Sequence, residues 1–365
     1  MKQIIYFLEN TKKIKSSNII YINLEIDFLK FNNILELDNY IKNIIRKVKN
    51  KNRFYIFLDE IQEISGWEKL INSYRADDNF DVDIFITGSN ANLLSSDLST
   101  YLTGRYIDFE IMPFSYLEYL GYFNLENTKQ NFLNYTNFSG ISELYKLSDN
   151  DSKLNFLKSI KDSIILKDIV KKFNIKDIDL LEKLFFYLAS NIGNLFSLNS
   201  IVKKLRGIEI KTNTTTIGNY INFLEKTYIL HGVSRYDLKG KKILEGEKKY
   251  YLNDLAFNNF FSSTYDIGGG KKLENIVYNY LRQNGYTIYI GNIGDLEVDF
   301  VAEKGKEILY IQVAYIINNE DVFRREFGNL EQIKDNYTKI VLSLDDVLTP
   351  YKGIIHKNIW DFLAS

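Results

Sequence analysis

The segment Phe54-Tyr-Ile-Phe-Leu-Asp-Glu-Ile-Gln62 constrains this chain more than any other. Its unbroken apolar run is short and β-rich, and it reads as a buried strand. The run ends in two adjacent acids, Asp59 and Glu60, so a pair of carboxylates arrives at the carboxyl end of that strand. The flanking sequence alternates in type. Asn18 to Leu24 reads as a buried strand, Leu35 to Lys49 as an amphipathic helix, and Gly66 to Tyr74 as a helix presenting Trp67, Leu70 and Ile71 on one face. Val82 to Ile86 reads as a further strand running into Thr87-Gly-Ser-Asn90, and the chain opens from Met1 as a helix. Such alternation predicts a parallel sheet with helices on its faces. Ligands in these sheets bind at the carboxyl ends of strands, which gathers Asp59, Glu60, Thr87, Ser89 and Asn90 around one expected cleft.

An apolar strand ending in adjacent acids is the Walker B arrangement, in which the first acid holds Mg²⁺ through water and the second orients an attacking water. On its own such a pair after an apolar strand usually just caps a turn. A working nucleotide site also needs a glycine-rich phosphate loop ending in Lys-Ser or Lys-Thr, and none precedes Asp59. Composition narrows the remaining choices. The formal charge of −1 gives no global attraction to nucleic acid or anionic membrane, so any such binding uses a local patch. Cys is absent, and His231 and His356 are the only histidines, which removes thiolate chemistry and disfavours a His-based zinc site. No apolar run approaches a membrane span and no signal-peptide cleavage site opens the chain, so a cytoplasmic location is expected.

The order Leu58-Asp-Glu-Ile-Gln62, Gly66-Trp67, Thr87-Gly-Ser-Asn90, Leu93-Leu94, Gly104-Arg105-Tyr106 and Pro113-Phe-Ser-Tyr-Leu-Glu-Tyr119 resembles a prokaryotic, archaeal-type AAA ATPase family whose members carry an uncharacterised C-terminal domain. The resemblance implies a multidomain α/β protein with a P-loop NTPase-like parallel sheet, using ATP and Mg²⁺. It implies Asp59 and Glu60 as Walker B acids, Ser89 or Asn90 as a sensor of the γ-phosphate, and Arg105 as an arginine meeting the nucleotide of its own or a neighbouring subunit. In the family pattern the phosphate loop and its strand lie before Met1, and Lys2 falls after the loop. Without the loop's backbone N–H groups and lysine, the acids face polyphosphate uncompensated. Negligible ATP hydrolysis by the chain as written is therefore expected, whether its start is misassigned or it is a degraded relative.

The expected domains are an ATPase core over 1–125, a helical, winged-helix-like region over 126–260, and a nuclease-like domain over 261–365. In the middle region, helices over Ile178 to Ala189, Leu198 to Leu205 and Thr214 to Glu225, the last with a Thr cap, precede β-like segments over Ile229 to Tyr236 and Lys248 to Leu252. Three helices and a basic hairpin form the winged-helix pattern. Its DNA-binding reading puts Thr215, Thr216 and Asn219 at base edges or phosphates, and Lys239, Lys241, Lys242, Lys248 and Lys249 on phosphates. The competing reading is a module that docks another domain, a protein partner or a second subunit.

In the C-terminal third, a helix over Lys272 to Leu281, strands over Tyr286 to Ile290, Glu297 to Ala302 and Glu307 to Ala314, a helix over Asn329 to Tyr337 and a strand over Lys339 to Ser343 are similar to the restriction-endonuclease-like core. That likeness implies a metal held by Glu274 and Asp299. Gln312 stands at the usual glutamate position, where its carbonyl oxygen could still ligate Mg²⁺, and Ala314 at the usual lysine position. An inactive nuclease-like domain is the expectation, with an active metal-dependent nuclease as the alternative. A nucleotide-independent DNA- or protein-interaction protein is the alternative to the ATPase reading for the whole chain.

Overall fold

The computed structural model describes residues 1–27, 30–49, 52–77, 80–88, 106–261 and 269–365. Ser89, Asn90 and Arg105 lie outside the described residues. The chain forms two compact units, Met1–Phe109 and Glu110–Ser365.

The first unit runs α1 (Lys2–Asn10), β1 (Ile19–Asn23), α2 (Ile34–Lys47), β2 (Phe54–Asp59), α3 (Trp67–Ala76) and β3 (Val82–Ile86). The strands are parallel in the order β1-β2-β3. Helix α2 starts where it does because the Asn33 side-chain oxygen accepts the N–H groups of Leu35 and Glu36. Its buried Leu37 and Ile41, one turn apart, pack with Ile22, Ile56 and Leu58 of the sheet. Gly66, at φ +82, makes the left-handed entry to α3, which buries Trp67, Leu70, Ile71 and Tyr74. Strand β3 pairs only with β2 among the described residues, and all of its residues are half-buried.

The second unit opens with α4 (Tyr116–Phe123), α5 (Lys129–Phe138) and α6 (Asn150–Asp162), the last continuing into a π-helical stretch, Ser163–Lys171. It continues through α7 (Ile178–Ala189), β4 (Leu195–Ser197), α8 (Leu198–Gly207), α9 (Thr214–Lys226), β5 (Leu230–Asp237) and β6 (Lys242–Leu252). Then follow α10 (Ala256–Phe261), α11 (Gly269–Gln283), β7 (Thr287–Ile293), β8 (Leu296–Lys304), β9 (Glu307–Val313), α12 (Glu320–Glu331), β10 (Thr338–Ser343), β11 (Ile355–Asn358) and α13 (Ile359–Leu363). All strands of this unit share one sheet, ordered β11-β10-β9-β8-β7-β5-β6-β4. The join is a short parallel pairing of β5 with β7, from Arg235 opposite Ile290 to Asp237 opposite Asn292. Through it the hairpin of the expected middle region is continuous with the strands of the expected C-terminal region.

Several element boundaries differ from expectation, each for a local reason. The helix expected over Asn329 to Tyr337 lies earlier, at Glu320–Glu331, because Asn319 accepts the N–H of Val322 and the acids Glu320 and Asp321 favour a helix N-terminus. Asn213, not a threonine, caps α9 by accepting the N–H of Thr216. Strand β6 begins at Lys242 rather than Lys248: Lys242 to Leu244 pair with Asp237 to Arg235, and a bulge follows them, with the pairing shifting between Ser234 and Arg235 and Gly246 at φ +99. Among the described residues no helix is long and apolar enough to cross a membrane.

Candidate functional sites

The parallel register of the first unit sets Asn23 opposite Asp59 and Leu58 opposite Ile86, which brings Thr87 alongside the two acids. The hydroxyl of Tyr21 donates to Asp59 Oδ2 at 2.8 Å and the Asn23 amide donates to the same oxygen at 3.1 Å. The Thr87 hydroxyl donates to Asp59 Oδ1. Thr87 Oγ1 also accepts the backbone N–H of Glu60 at 3.2 Å. Glu60 itself adopts the left-handed conformation, φ 55 and ψ 51, which costs a non-glycine residue roughly 1–2 kcal/mol. Burial and the neighbouring Asp59 raise the Tyr21 hydroxyl above the ordinary tyrosine range. Asp59, Glu60 and Thr87 thus meet as expected. Tyr21 and Asn23 belong to the cluster too; only their place at the end of the preceding strand hinted at it.

The donors around Asp59 are neutral and its carboxylate is half-buried, so the arrangement fits a hydrated Mg²⁺ held through water. The 365-residue sequence supplies no glycine-rich Lys-Ser or Lys-Thr loop for the phosphates.

In the second unit, α9 buries Ile217, Tyr220, Ile221 and Leu224 and leaves Thr215 and Asn219 exposed one turn apart. Thr216 is half-buried, with its N–H committed to the Asn213 cap. Lys239, Lys241 and Lys242 are exposed where β5 turns into β6. Lys203 and Lys204 on α8, and Lys211 just before α9, are exposed as well and escaped sequence reasoning.

Lys249 corrects the expected phosphate contacts. It is 1% exposed, whereas Lys248 beside it is half-buried. Successive residues of a strand face opposite sides, so only one of the two lysines can follow the outer face. Lys249 Nζ instead lies 2.6 Å from Glu297 Oε1, 3.4 Å from Glu274 Oε2 and 3.7 Å from Asp299 Oδ1. These carboxylates raise the Lys249 pKa above the ordinary lysine range against the opposing effect of burial, so the ammonium stays charged.

The rest of the cluster is closely bonded. Lys271 Nζ donates to Glu274 Oε1 at 2.8 Å and to the carbonyl of Gly193 at 3.0 Å. The buried Tyr251 hydroxyl donates to Glu274 Oε2 at 3.3 Å. Asp299 Oδ2 accepts the N–H of Val313 at 2.8 Å; burial and Glu274 raise the Asp299 carboxyl, and the Lys249 ammonium beside it opposes that rise. Gln312 does not turn its carbonyl oxygen toward the carboxylates, as a metal-ligating role would require. Its Oε1 accepts the Asp299 N–H at 2.6 Å and its amide donates to Glu326 Oε2 at 3.1 Å. Glu326 is buried, paired with Arg325, and raised above the ordinary glutamate range by burial. Ala314 is buried and brings no charge. Glu274 and Asp299, expected as metal ligands, do come together, but around an ammonium that no local pattern places there. Sequence reasoning also missed Glu297 and Lys271.

Residues 1–120 match a family described as an AAA domain, and residues 129–264 match a domain of unknown function, DUF8612. An uncharacterised protein of Haemophilus influenzae is 33% identical over 343 residues, covering 90% of this chain and 82% of its own. The chain belongs to an AAA-type ATPase family. A second relative, an uncharacterised protein of Methanocaldococcus jannaschii, is 30% identical over 359 residues, 94% of this chain and 77% of its own. Among solved structures, a Walker-type ATPase of Pyrococcus abyssi shares 14% identity at a TM-score of 0.40, covering 67% of this chain and 84% of that one. The Asp59–Glu60 cluster falls within the AAA match of this family member, and α9 with its hairpin falls within the DUF8612 match.

Proposed function

We propose that this AAA-type family protein couples an ATP- and Mg²⁺-responsive sheet to a winged-helix, DNA-contacting second unit, and that the 365 residues alone turn over ATP negligibly. The observation that carries the nucleotide reading is the junction of Asp59, Glu60 and Thr87 at the carboxyl ends of adjacent parallel strands, where such sheets bind ligands. When bound, Mg²⁺ would neutralise phosphate charge there. Asp59 would hold its water shell, and Glu60, placed by its left-handed backbone, would orient an attacking water. The low turnover follows from the phosphates having no glycine-rich cradle in this sequence. Phosphate release with Mg²⁺ and ATP should stay at the buffer background; turnover that disappears in Glu60→Gln overturns this part.

The DNA reading rests on the exposed polar face of α9 beside an exposed basic turn, the layout in which a helix enters the major groove and a wing meets phosphates. Anisotropy titration of a labelled duplex should show salt-dependent binding that is abolished in the double variant Lys241→Glu, Lys242→Glu. Binding unchanged by that variant favours a protein-docking role for the same surface. The C-terminal strands with α11 act in this reading as an inactive nuclease-like module, since neither Gln312 nor Ala314 supplies what the metal chemistry needs. Cleavage of plasmid DNA in Mg²⁺ or Mn²⁺ that vanishes in Asp299→Ala would overturn it.

A further inference from the structure

We propose that the Lys249 ammonium takes the place of a divalent cation in the carboxylate cluster of the second unit, so that the cluster binds no metal while Lys249 is present and becomes a cation site when it is removed. The inference rests on the nuclease-like reading only for the comparison with metal enzymes; the geometry stands by itself. Glu274 comes from α11, Glu297 and Asp299 from one face of β8, and Lys249 from β6, which reaches the cluster across the sheet. Each carboxylate directs one oxygen at the same Nζ, within 3.7 Å. That is the convergence a hard cation demands, here met by a protonated amine.

The remaining oxygens of the two deeper acids are also committed. Glu274 Oε1 is taken by Lys271, and Asp299 Oδ2 by the Val313 N–H. Gln312 could complete a metal shell only by giving up the Asp299 N–H, which would strand a buried backbone donor. A metal ion would therefore have to displace an ammonium and dismantle hydrogen bonds around it, and the residues do not fit one. Removal of Lys249 reverses the balance. Three carboxylates would then crowd one space, with Lys271 left among the described residues as the cation in direct contact with one of them, and truncation to alanine vacates the volume of a long side chain at their focus. A cation with its waters would relieve that repulsion.

Mn²⁺ binding to the full chain tests this, by calorimetry and by thermal unfolding in parallel. Wild type and Glu274→Gln should bind Mn²⁺ alike and show the same response of melting temperature to it, with no saturable site at the second unit's cluster. Lys249→Ala should melt lower in chelator, bind one more Mn²⁺ per chain than wild type, and recover stability with Mn²⁺. Adding Asp299→Asn to that variant should abolish both effects. If Lys249→Ala folds only when Mn²⁺ is supplied, the proposal is also supported. Three results overturn it: a stoichiometric site in wild type that Glu274→Gln removes, a folded Lys249→Ala that ignores Mn²⁺, or a Lys249→Ala that stays unfolded with Mn²⁺ present. A wild-type Mn²⁺ site that Glu274→Gln removes, without DNA cleavage, sinks this proposal and leaves the inactive-nuclease reading standing, whereas Asp299-dependent cleavage sinks that reading.

Discussion

Asp254 Oδ2 accepts the backbone N–H of Gly140 at 2.8 Å, tying together segments 114 positions apart. Its other oxygen accepts the N–H of Ala256 at 2.8 Å. The carboxyl thus links the end of the hairpin to the helices that open the second unit. It is fully enclosed, and burial pushes it from 3.8 up to about 7, although its backbone hydrogen bonds pull the other way. The folded state therefore keeps a proton that the unfolded chain releases near pH 4. Stability from this group is complete below about pH 4 and is lost as pH rises toward 7 and beyond. Both histidines are held below their ordinary value of 6.5 by burial, so at lower pH they oppose this slope; they are shared by Asp254→Asn, and comparison with that variant cancels their contribution. Denaturant unfolding between pH 5 and 8.5 should show wild type losing stability relative to Asp254→Asn as pH rises. At the acid end the variant should be weaker by ~1–3 kcal/mol, because an amide offers only one acceptor to two buried donors. Parallel pH profiles would remove Asp254 as the cause.

Gly140 is the other half of that link, and a methyl group there would collide with the backbone of Phe114 and with the Pro113 ring. Backbone cannot move aside cheaply, so Gly140→Ala should destabilise the protein by roughly 1–3 kcal/mol. Gly121, whose added Cβ would meet open space, serves as the control, and Gly121→Ala should not be destabilising. Equal melting temperatures for the two variants would contradict the packing argument.

The strain at Glu60 makes a separate prediction. Glycine tolerates its left-handed backbone, so Glu60→Gly should match wild type or exceed it by up to about 1 kcal/mol, despite the entropy glycine adds to the unfolded chain. Thr87→Val should instead cost about 1–3 kcal/mol, since it orphans the Glu60 N–H and removes a donor from Asp59. A large destabilisation in Glu60→Gly would mean that the side chain, not the backbone shape, holds the turn.

The basic turn can be tested by salt alone. If Lys239, Lys241 and Lys242 meet phosphates, each replacement by alanine should lower the dependence of log affinity on log salt by about 0.9 for every phosphate left unneutralised. Thr215→Ala and Asn219→Ala should leave that slope intact while changing the preference among duplex sequences. A slope indifferent to the lysines would assign the turn another role.

Much of the first unit is legible in the sequence because its signals are local. The run from Phe54 to Leu58 is buried or half-buried in a strand as its composition requires, and the end of that strand carries Asp59 and Glu60 to the sheet's carboxyl edge. Helix faces such as Leu37 with Ile41 follow from spacing alone. The helix at Glu320–Glu331 carries Phe323, Phe327 and Leu330 at helical spacing, and the capping Asn319 with the acids after it marks where it starts.

Lys249 marks the boundary between local pattern and long-range packing. Alternation along β6 fixes that Lys248 and Lys249 face opposite sides. It cannot say which side is water, because that depends on what packs there. The answer comes from the pairing of β5 with β7, which carries β6 into the same sheet as β8, and from α11, which lays Glu274 over that sheet. An ammonium is stable in so buried a place only when carboxylates meet it, and those carboxylates lie on elements distant in sequence. The residues along β2 were enough to make a strand and bring its acids to one edge; pairing between distant strands decided which lysine became part of the core.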